Sequence, residues 1–331
     1  MTEVQNTPRG KIMLVGLGPG SHDYLTGRAR AAIAEADTVI GYATYIRLVK
    51  DLLDGKEVIK KAMTEELDRA IEAYDRAKLG KKVALISSGD AGVYGMAGPT
   101  FEVLFQAGWT PDAGIEVEII PGASAINTCA SLVGAPLTHD FCAISLSDLL
   151  TPWPTIARRL DAVAYSDFVV ALYNPKSGRR TRQIQEAQRI FLRHRDPNTP
   201  VAIVKSAFRA KQRIEFTTLE KMIEADIGML STVLIGNSNT FVKHGLMITP
   251  RGYANKYDVE VGSAGARDGE RAGHSLSTGL NGWLAAIHAA QASGQSAAEL
   301  AKIYRLPEDY IAAVLSEPLP EDETDEEAAT E

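Results

Sequence analysis

The chain has 331 residues, a formal net charge of −7, 45% hydrophobic and 23% charged residues, a composition that suits a soluble globular protein of more than one domain. No apolar run approaches the roughly 20 residues that span a bilayer, and residues 1–10 lack the apolar core of a signal peptide, so a cytoplasmic protein is expected. Eight of the 42 acids fall in Glu317–Glu331; without them acids and the 35 bases balance to within one, which leaves no basic surface for nucleic acid and makes the tail a disordered, solubilising segment.

In chain order, Lys11–Leu17 reads as a buried strand that runs into Val15-Gly-Leu-Gly-Pro-Gly20. That turn falls short of a dinucleotide fingerprint, and Pro19 removes an amide a pyrophosphate would need. It reads instead as a tight turn under a pocket, followed by Ser21, His22 and Asp23 as caps or substrate-facing groups. Tyr24–Ala36 is expected to be a helix, Thr38–Gly41 a strand, and Thr64–Lys78 a helix with Thr64 as N-cap and two acids in its first turn. Val83–Ser87 is a strand ending in Ser88-Gly-Asp-Ala-Gly-Val-Tyr-Gly95, a glycine-rich turn carrying one carboxylate, Asp90. Glycines there let a backbone approach a ligand closely, and the carboxyl ends of strands are where open α/β sheets bind small molecules. A helix over Thr100–Ala107 and a strand over Ile115–Ile120 lead to Pro121-Gly-Ala-Ser-Ala-Ile126, whose small residues let a flat ligand lie on the backbone. The helix begun at Ala123 breaks at Gly134-Ala-Pro136. Strands alternating with helices signify a parallel α/β sheet, here a first domain over 11–136.

A second α/β series occupies 137–257. Phe168–Tyr173, Pro200–Lys205, Arg213–Thr217 and Thr232–Gly236 read as strands, with helices over Arg179–Arg195 and Thr218–Ala225. Arg189, Arg193 and Arg195 are expected on a solvated helix face. Leu172-Tyr-Asn-Pro-Lys-Ser177, Ser206-Ala-Phe-Arg209 and Thr232-Val-Leu-Ile-Gly-Asn-Ser238 end or open these strands. Residues 258–274 read as a flexible linker, and 275–316 as three short helices with a capping box at Ser296–Glu299 and Pro307 at the start of the last. The cysteines, Cys129 and Cys142, have no Cys-x-x-Cys spacing and the histidines no zinc-like spacing, so no metal site is expected.

The set Gly-Leu-Gly-Pro-Gly, Ser-Gly-Asp-Ala-Gly-Val-Tyr-Gly and Pro-Gly-Ala-Ser-Ala, with the three later turns, resembles the tetrapyrrole (corrin/porphyrin) methylases of cobalamin and sirohaem biosynthesis over about residues 11–255. Ile144-Ser-Leu-Ser-Asp-Leu-Leu-Thr-Pro-Trp153 and Ala171–Ser177 are similar to the branch that methylates C-17 of precorrin-3B, or its cobalt analogue, with ring contraction to precorrin-4. The resemblance implies two α/β domains with the active-site cleft between them and a small helical C-terminal extension. It implies S-adenosylmethionine (SAM) held by Gly89, Asp90, Val93, Ser124, Ala125, Tyr173, Asn174, Ala207, Thr232 and Val233. The sirohaem branch carries an Asp where this chain has Ser21, so that residue's role as a base does not transfer. Ser21, Asp23, His139 and Asp148 are the candidate catalytic groups. A carboxylate-rich macrocycle calls for arginines, and Arg209 and Arg179 lie in or after the ligand turns. A homodimer without nucleic-acid or membrane partners is expected. C-11 or C-20 methylation, diphthine synthesis and a nicotinamide oxidoreductase remain as alternatives.

Overall fold

Five strands, β1 (Lys11–Gly16), β2 (Thr38–Tyr42), β3 (Glu57–Lys61), β4 (Lys82–Ser87) and β5 (Glu116–Ile120), build a wholly parallel sheet in the order β3-β2-β4-β1-β5. The computed structural model describes residues 9–62, 65–112, 114–260 and 263–319. The central strands β1 and β4 are buried on both faces, which is why they read as unbroken apolar runs rather than alternating ones. Helices α1 (Gly27–Glu35) and α2 (Ala43–Leu48) cover one face, where Ala29, Ile33 and Ile46 pack on Met13, Val15 and Ile86. Helices α3 (Glu66–Lys78) and α4 (Ala97–Gln106) cover the other, with Ala70, Ala73 and Leu104 on Ile12, Leu14 and Leu85. The chain leaves neighbouring β1 and β4 in opposite directions, toward β2 and toward β5. This is a topological switch point, where open α/β sheets leave a ligand crevice at the carboxyl ends of the strands.

The first helix starts later than its sequence suggests. His22–Tyr24 is a single 3-10 turn, and Thr26 caps α1 by accepting from the Ala29 amide at 3.1 Å. The expected Thr64 cap lies outside the described residues. Strand β3 and the six-residue α2 have no counterpart in the sequence reading: Glu-Val-Ile-Lys-Lys is a charged edge strand, and α2 is too short to show a period.

Helix α5 (Ala125–Val133) follows β5 and ends at Gly134 with φ +131°. The second sheet holds β7 (Phe141–Ser145), β8 (Val169–Tyr173), β9 (Pro200–Lys205), β10 (Arg213–Thr218) and β11 (Ser231–Ile235), after the short β6 (Gly134–Ala135). Its order is β10-β9-β11-β8-β7. Only β7 and β8 are parallel; β11 runs antiparallel to both β8 and β9. The second α/β series is therefore a mixed sheet. Helices α6 (Trp153–Tyr165) and α7 (Gln183–Phe191) pack on one face. The other face receives α5, with Ile126, Cys129 and Val133 on Ala171, Ala202 and Leu234. The helix that closes the first series in sequence thus packs on the second sheet. Strands β12 (Phe241–Lys243) and β13 (Leu246–Ile248) complete a small sheet with β6. The helix expected over Thr218–Ala225 is only a 3-10 turn at Met222–Glu224.

Residues Met1–Pro250 form one compact unit and Arg251–Glu331 another. The second unit contains a hairpin of β14 (Tyr257–Glu260) and β15 (Ser263–Ala266), so part of the expected linker is paired strand. Helices α8 (Leu280–Ala292), α9 (Ala297–Tyr304) and α10 (Glu308–Ser316) follow, with the Ser296–Glu299 capping box formed. Ile287, Leu300 and Ile311 are their core. Of the acidic stretch, residues 320–331 lie outside the described residues.

Candidate active site

Three loops of the first lobe meet with backbone packed directly on backbone. The Gly18 and Gly89 amides each donate to the other's carbonyl, at 2.9 and 2.7 Å, which joins the turn after β1 to the turn after β4. A Cβ on Gly122 would stand 2.2 Å from the Gly89 carbonyl oxygen, and one on Gly16 2.6 Å from the Gly122 nitrogen. No side chain fits there, so glycine is obligatory at both positions. Asp90 ties the assembly together: one carboxylate oxygen accepts from the Gly92 amide at 2.7 Å, the other from the Gly122 amide at 2.9 Å. Gly89, at φ +69°, leaves bare backbone facing Ser124 and Ala125, a cradle that its missing Cβ would fill.

The second lobe brings its own strand ends to this place. Because β11 is antiparallel to β8 and β9, its first residues lie beside the last residues of both, with Ser231 opposite Lys205 and Val233 opposite Leu172. Tyr173, at the end of β8, reaches the start of α5. Its hydroxyl accepts from the Ile126 amide at 2.7 Å and lies 3.0 Å from Ser124 Oγ. From the first lobe, the Tyr94 ring lies 5.1 Å from that of Tyr173, and its hydroxyl donates to the Ala143 carbonyl. Burial pushes both phenols above their ordinary pKa, so they act as neutral hydrogen-bonding groups at neutral pH.

Asn174 follows at φ +49°. Its side-chain amide donates to Ser145 Oγ at 3.0 Å, and its carbonyl accepts from Arg180 at 3.1 Å. Across the cleft Arg209 Nε donates to the Pro19 carbonyl at 2.5 Å, and Phe208 stacks on Tyr24 with ring centres 4.1 Å apart. Burial lowers the Arg209 pKa. Of the seven non-glycine residues with positive φ among the described residues, four, Tyr94, Asn174, Ser206 and Phe208, sit in these loops. Such backbone strain concentrates at ligand sites.

The structure therefore brings Gly89, Asp90, Ser124, Ala125, Tyr173 and Asn174 together, with the exposed Val93 in the loop between Asp90 and Tyr94. Asp90 is a brace for the loops, with both oxygens occupied by backbone amides. Ala207 and Thr232 flank this group: Ala207 packs on the same core as Tyr173, while Thr232 is buried against α5. Val233 differs. Side chains alternate across a strand, and Val233 points with Ile235 into the α6–α7 core, fully buried and on the opposite face from Tyr173. Its side chain supports the sheet and faces away from the cleft.

The catalytic candidates separate. Ser21 is half-buried at the crevice, two residues from the Pro19 carbonyl that Arg209 holds. Asp23 is exposed. His139 precedes β7, about 20 Å of strand from Ser145 at the cleft end, and its Nδ1 accepts from its neighbour's amide. The far end of the sheet excludes it from the site. Asp148 is exposed and accepts from Gln183 at 2.9 Å. Arg179 is exposed, whereas the next residue, Arg180, braces Asn174. Arg195, expected in solvent, is buried and donates to the carbonyls of Ala164, Val163, Phe168 and Gly236. Sequence reasoning passed over Tyr94, Ser145 and Arg180. Tyr94 and Ser145 stood inside quoted motifs, and Arg180 stood beside Arg179 just after a ligand turn, but no pattern singled out their side chains.

Among the described residues no cluster of His, Cys, Asp or Glu could hold a metal ion, and no helix is long and apolar enough to cross a membrane. Burial pushes the Cys142 thiol up to about 11, so it is no nucleophile at neutral pH.

The family model for Tetrapyrrole (Corrin/Porphyrin) Methylases matches residues 11–223. The chain is 58% identical over 251 residues to a cobalt-factor III methyltransferase of Priestia megaterium, covering 76% of this chain and 46% of that one. It thus spans about half the length of that relative. It is 46% identical over 242 residues to a probable cobalt-factor III C(17)-methyltransferase of Salmonella typhimurium, covering 73% of this chain and 99% of the relative. Among solved structures, the methyltransferase CobJ superposes with a TM-score of 0.68 at 35% identity, over 73% of this chain and all of that one. The chain belongs to the tetrapyrrole (corrin/porphyrin) methylase family.

Proposed function

We propose that this chain is a SAM-dependent C-methyltransferase of corrin biosynthesis that methylates C-17 of cobalt-factor III, or of its metal-free counterpart precorrin-3B, with contraction of the ring. The observation that carries the reading is the convergence of the Gly89–Gly95, Pro121–Ser124 and Tyr173–Asn174 loops on one crevice, in a chain 46% identical to a probable C(17)-methyltransferase along almost all of that protein's length. SAM supplies an electrophilic methyl group on a sulfonium. Gly89, Val93, Ser124, Ala125, Tyr173, Asn174 and Ala207 hold and orient it. Methyl transfer of this kind depends on alignment of the reacting atoms more than on covalent help. A crevice of braced backbone, neutral phenols and amides suits that demand. Ser21 and Arg209 face the macrocycle, with Arg209 taking a peripheral carboxylate through its terminal nitrogens.

The nicotinamide reading fails on the loop it would use. The amides of Leu17 and Gly18 are spent on Ser87 and Gly89, and α1 begins only at Gly27, so no helix N-terminus stands ready for a pyrophosphate. C-11 or C-20 methylation and diphthine synthesis are not favoured by the relatives. We further propose a cytoplasmic homodimer and a division of the catalytic unit into domains over 11–136 and 137–257. Calorimetry with S-adenosylhomocysteine and with NAD tests the cofactor class: saturable binding of the first and none of the second is expected, and the reverse would overturn the reading.

A further inference from the structure

The loop between β7 and α6 has an unusual surface. Leu149 is 73% and Leu150 85% exposed, although the loop around them is pinned at both ends. The Leu146 amide donates to the Tyr173 carbonyl at 2.9 Å, and the Leu146 carbonyl accepts from Arg180 at 3.2 Å. The Ser147 amide donates to Ser145 Oγ, and Asp148 accepts from Gln183. Leu146 is fully buried, and Trp153, opening α6, packs on the same core. The leucines are therefore presented to solvent by a braced loop, not left there by a loose one. Two adjacent exposed leucines cost apolar hydration that a covering ligand would recover.

Their position says which ligand. The loop leaves β7 at Ser145, whose hydroxyl holds Asn174, and its first residue hydrogen-bonds Tyr173. It is thus continuous with the rim of the crevice. The ligand proposed for that crevice is a large, flat, apolar ring whose charges are confined to its edge. Arg209 answers the edge; Leu149 and Leu150 offer the face apolar surface beside Ser145 and Tyr173.

We propose that Leu149 and Leu150 form an apolar platform against the face of the tetrapyrrole and set the specificity of the site for that ring. This rests on the methyltransferase reading above. The test uses the full chain and the variants Leu149→Ser, Leu150→Ser and Leu150→Met. Cobalt-factor III is titrated by absorbance, S-adenosylhomocysteine by calorimetry, and mass is followed by light scattering. Serine at either exposed site is expected to leave the fold intact. Each serine variant is expected to weaken cobalt-factor III binding and raise its KM roughly tenfold, with cofactor affinity and mass unchanged and Leu150→Met close to wild type. Unchanged tetrapyrrole affinity overturns the platform, and so does a change in mass, which would assign the leucines to a second copy of the chain. Failure of the unaltered protein to bind either cobalt-factor III or precorrin-3B would instead overturn the proposed function.

Discussion

At the scale of single residues, the site depends on groups that are absent as much as on those present. Gly122 touches the Gly89 carbonyl so closely that any side chain must displace the loop. Gly122→Ala is expected to cost about 1–3 kcal/mol of stability, as overpacking does, and to weaken S-adenosylhomocysteine binding as well, both read from melts with and without ligand. A loss of affinity without a change in melting temperature would contradict the close-packed reading. Asp90→Ala leaves the Gly92 and Gly122 amides without their acceptor. Because the Gly92 bond is exposed and the Gly122 bond only partly buried, each loss is about 1 kcal/mol, so stability and cofactor affinity should fall together, and Asp90→Asn should retain part of each. A purely ligand-contacting Asp90 would lower affinity alone. Glu118 offers a pH signature. Arg28, at 2.6 Å, and then Lys11, at 2.8 Å, hold its carboxyl down to about 2, against roughly 4.3 in an unfolded chain. A depressed carboxylate stabilises above the unfolded value, and that stability is lost as pH falls from about 4 to about 2. Glu118→Gln should therefore destabilise at pH 7 by about 1 kcal/mol or less, given partial solvent screening, and match the wild type near pH 2. Equal stability of the two at pH 7 would remove the network from the account.

At the scale of elements, the parallel lobe was largely legible. Strands β1 and β4 are buried on both faces, and continuous apolar runs ending in glycine turns announce that arrangement. The loops of the crevice were legible for the same reason: close backbone approach demands glycine, and glycine is visible. Direction was not legible. Strand β11 has the same composition whether it runs parallel or antiparallel, and its antiparallel course brings Thr232 rather than its far end to the crevice. Face was not legible either. Thr232 and Val233 are neighbours, yet only the partner strands decide which of them points toward α5. Arg195 shows the limit most plainly. An arginine near the end of an amphipathic helix looks solvated, but four carbonyls from three separate segments converge on it, and burial lowers its pKa only to about 10, so it stays charged at neutral pH. No local pattern encodes that convergence.

At the scale of the whole molecule, the catalytic unit is a parallel lobe and a mixed lobe joined by α5, which follows the first sheet in sequence and packs on the second in space. Tyr173 fastens that helix at its first turn, and Arg209 with Phe208 fastens the opposite wall to Pro19 and Tyr24. The two lobes thus hold a crevice whose loops are braced by the chain's own hydrogen bonds, which suits alignment-dependent methyl transfer. The central claim is the position that receives the methyl group. The direct measurement incubates the full chain with cobalt-factor III, and in parallel with precorrin-3B, together with SAM carrying a 13C-labelled methyl group, and locates the label in each product by NMR. The account predicts one new labelled methyl at C-17 of a contracted ring; a label at C-11 or C-20, or none at all, would contradict it.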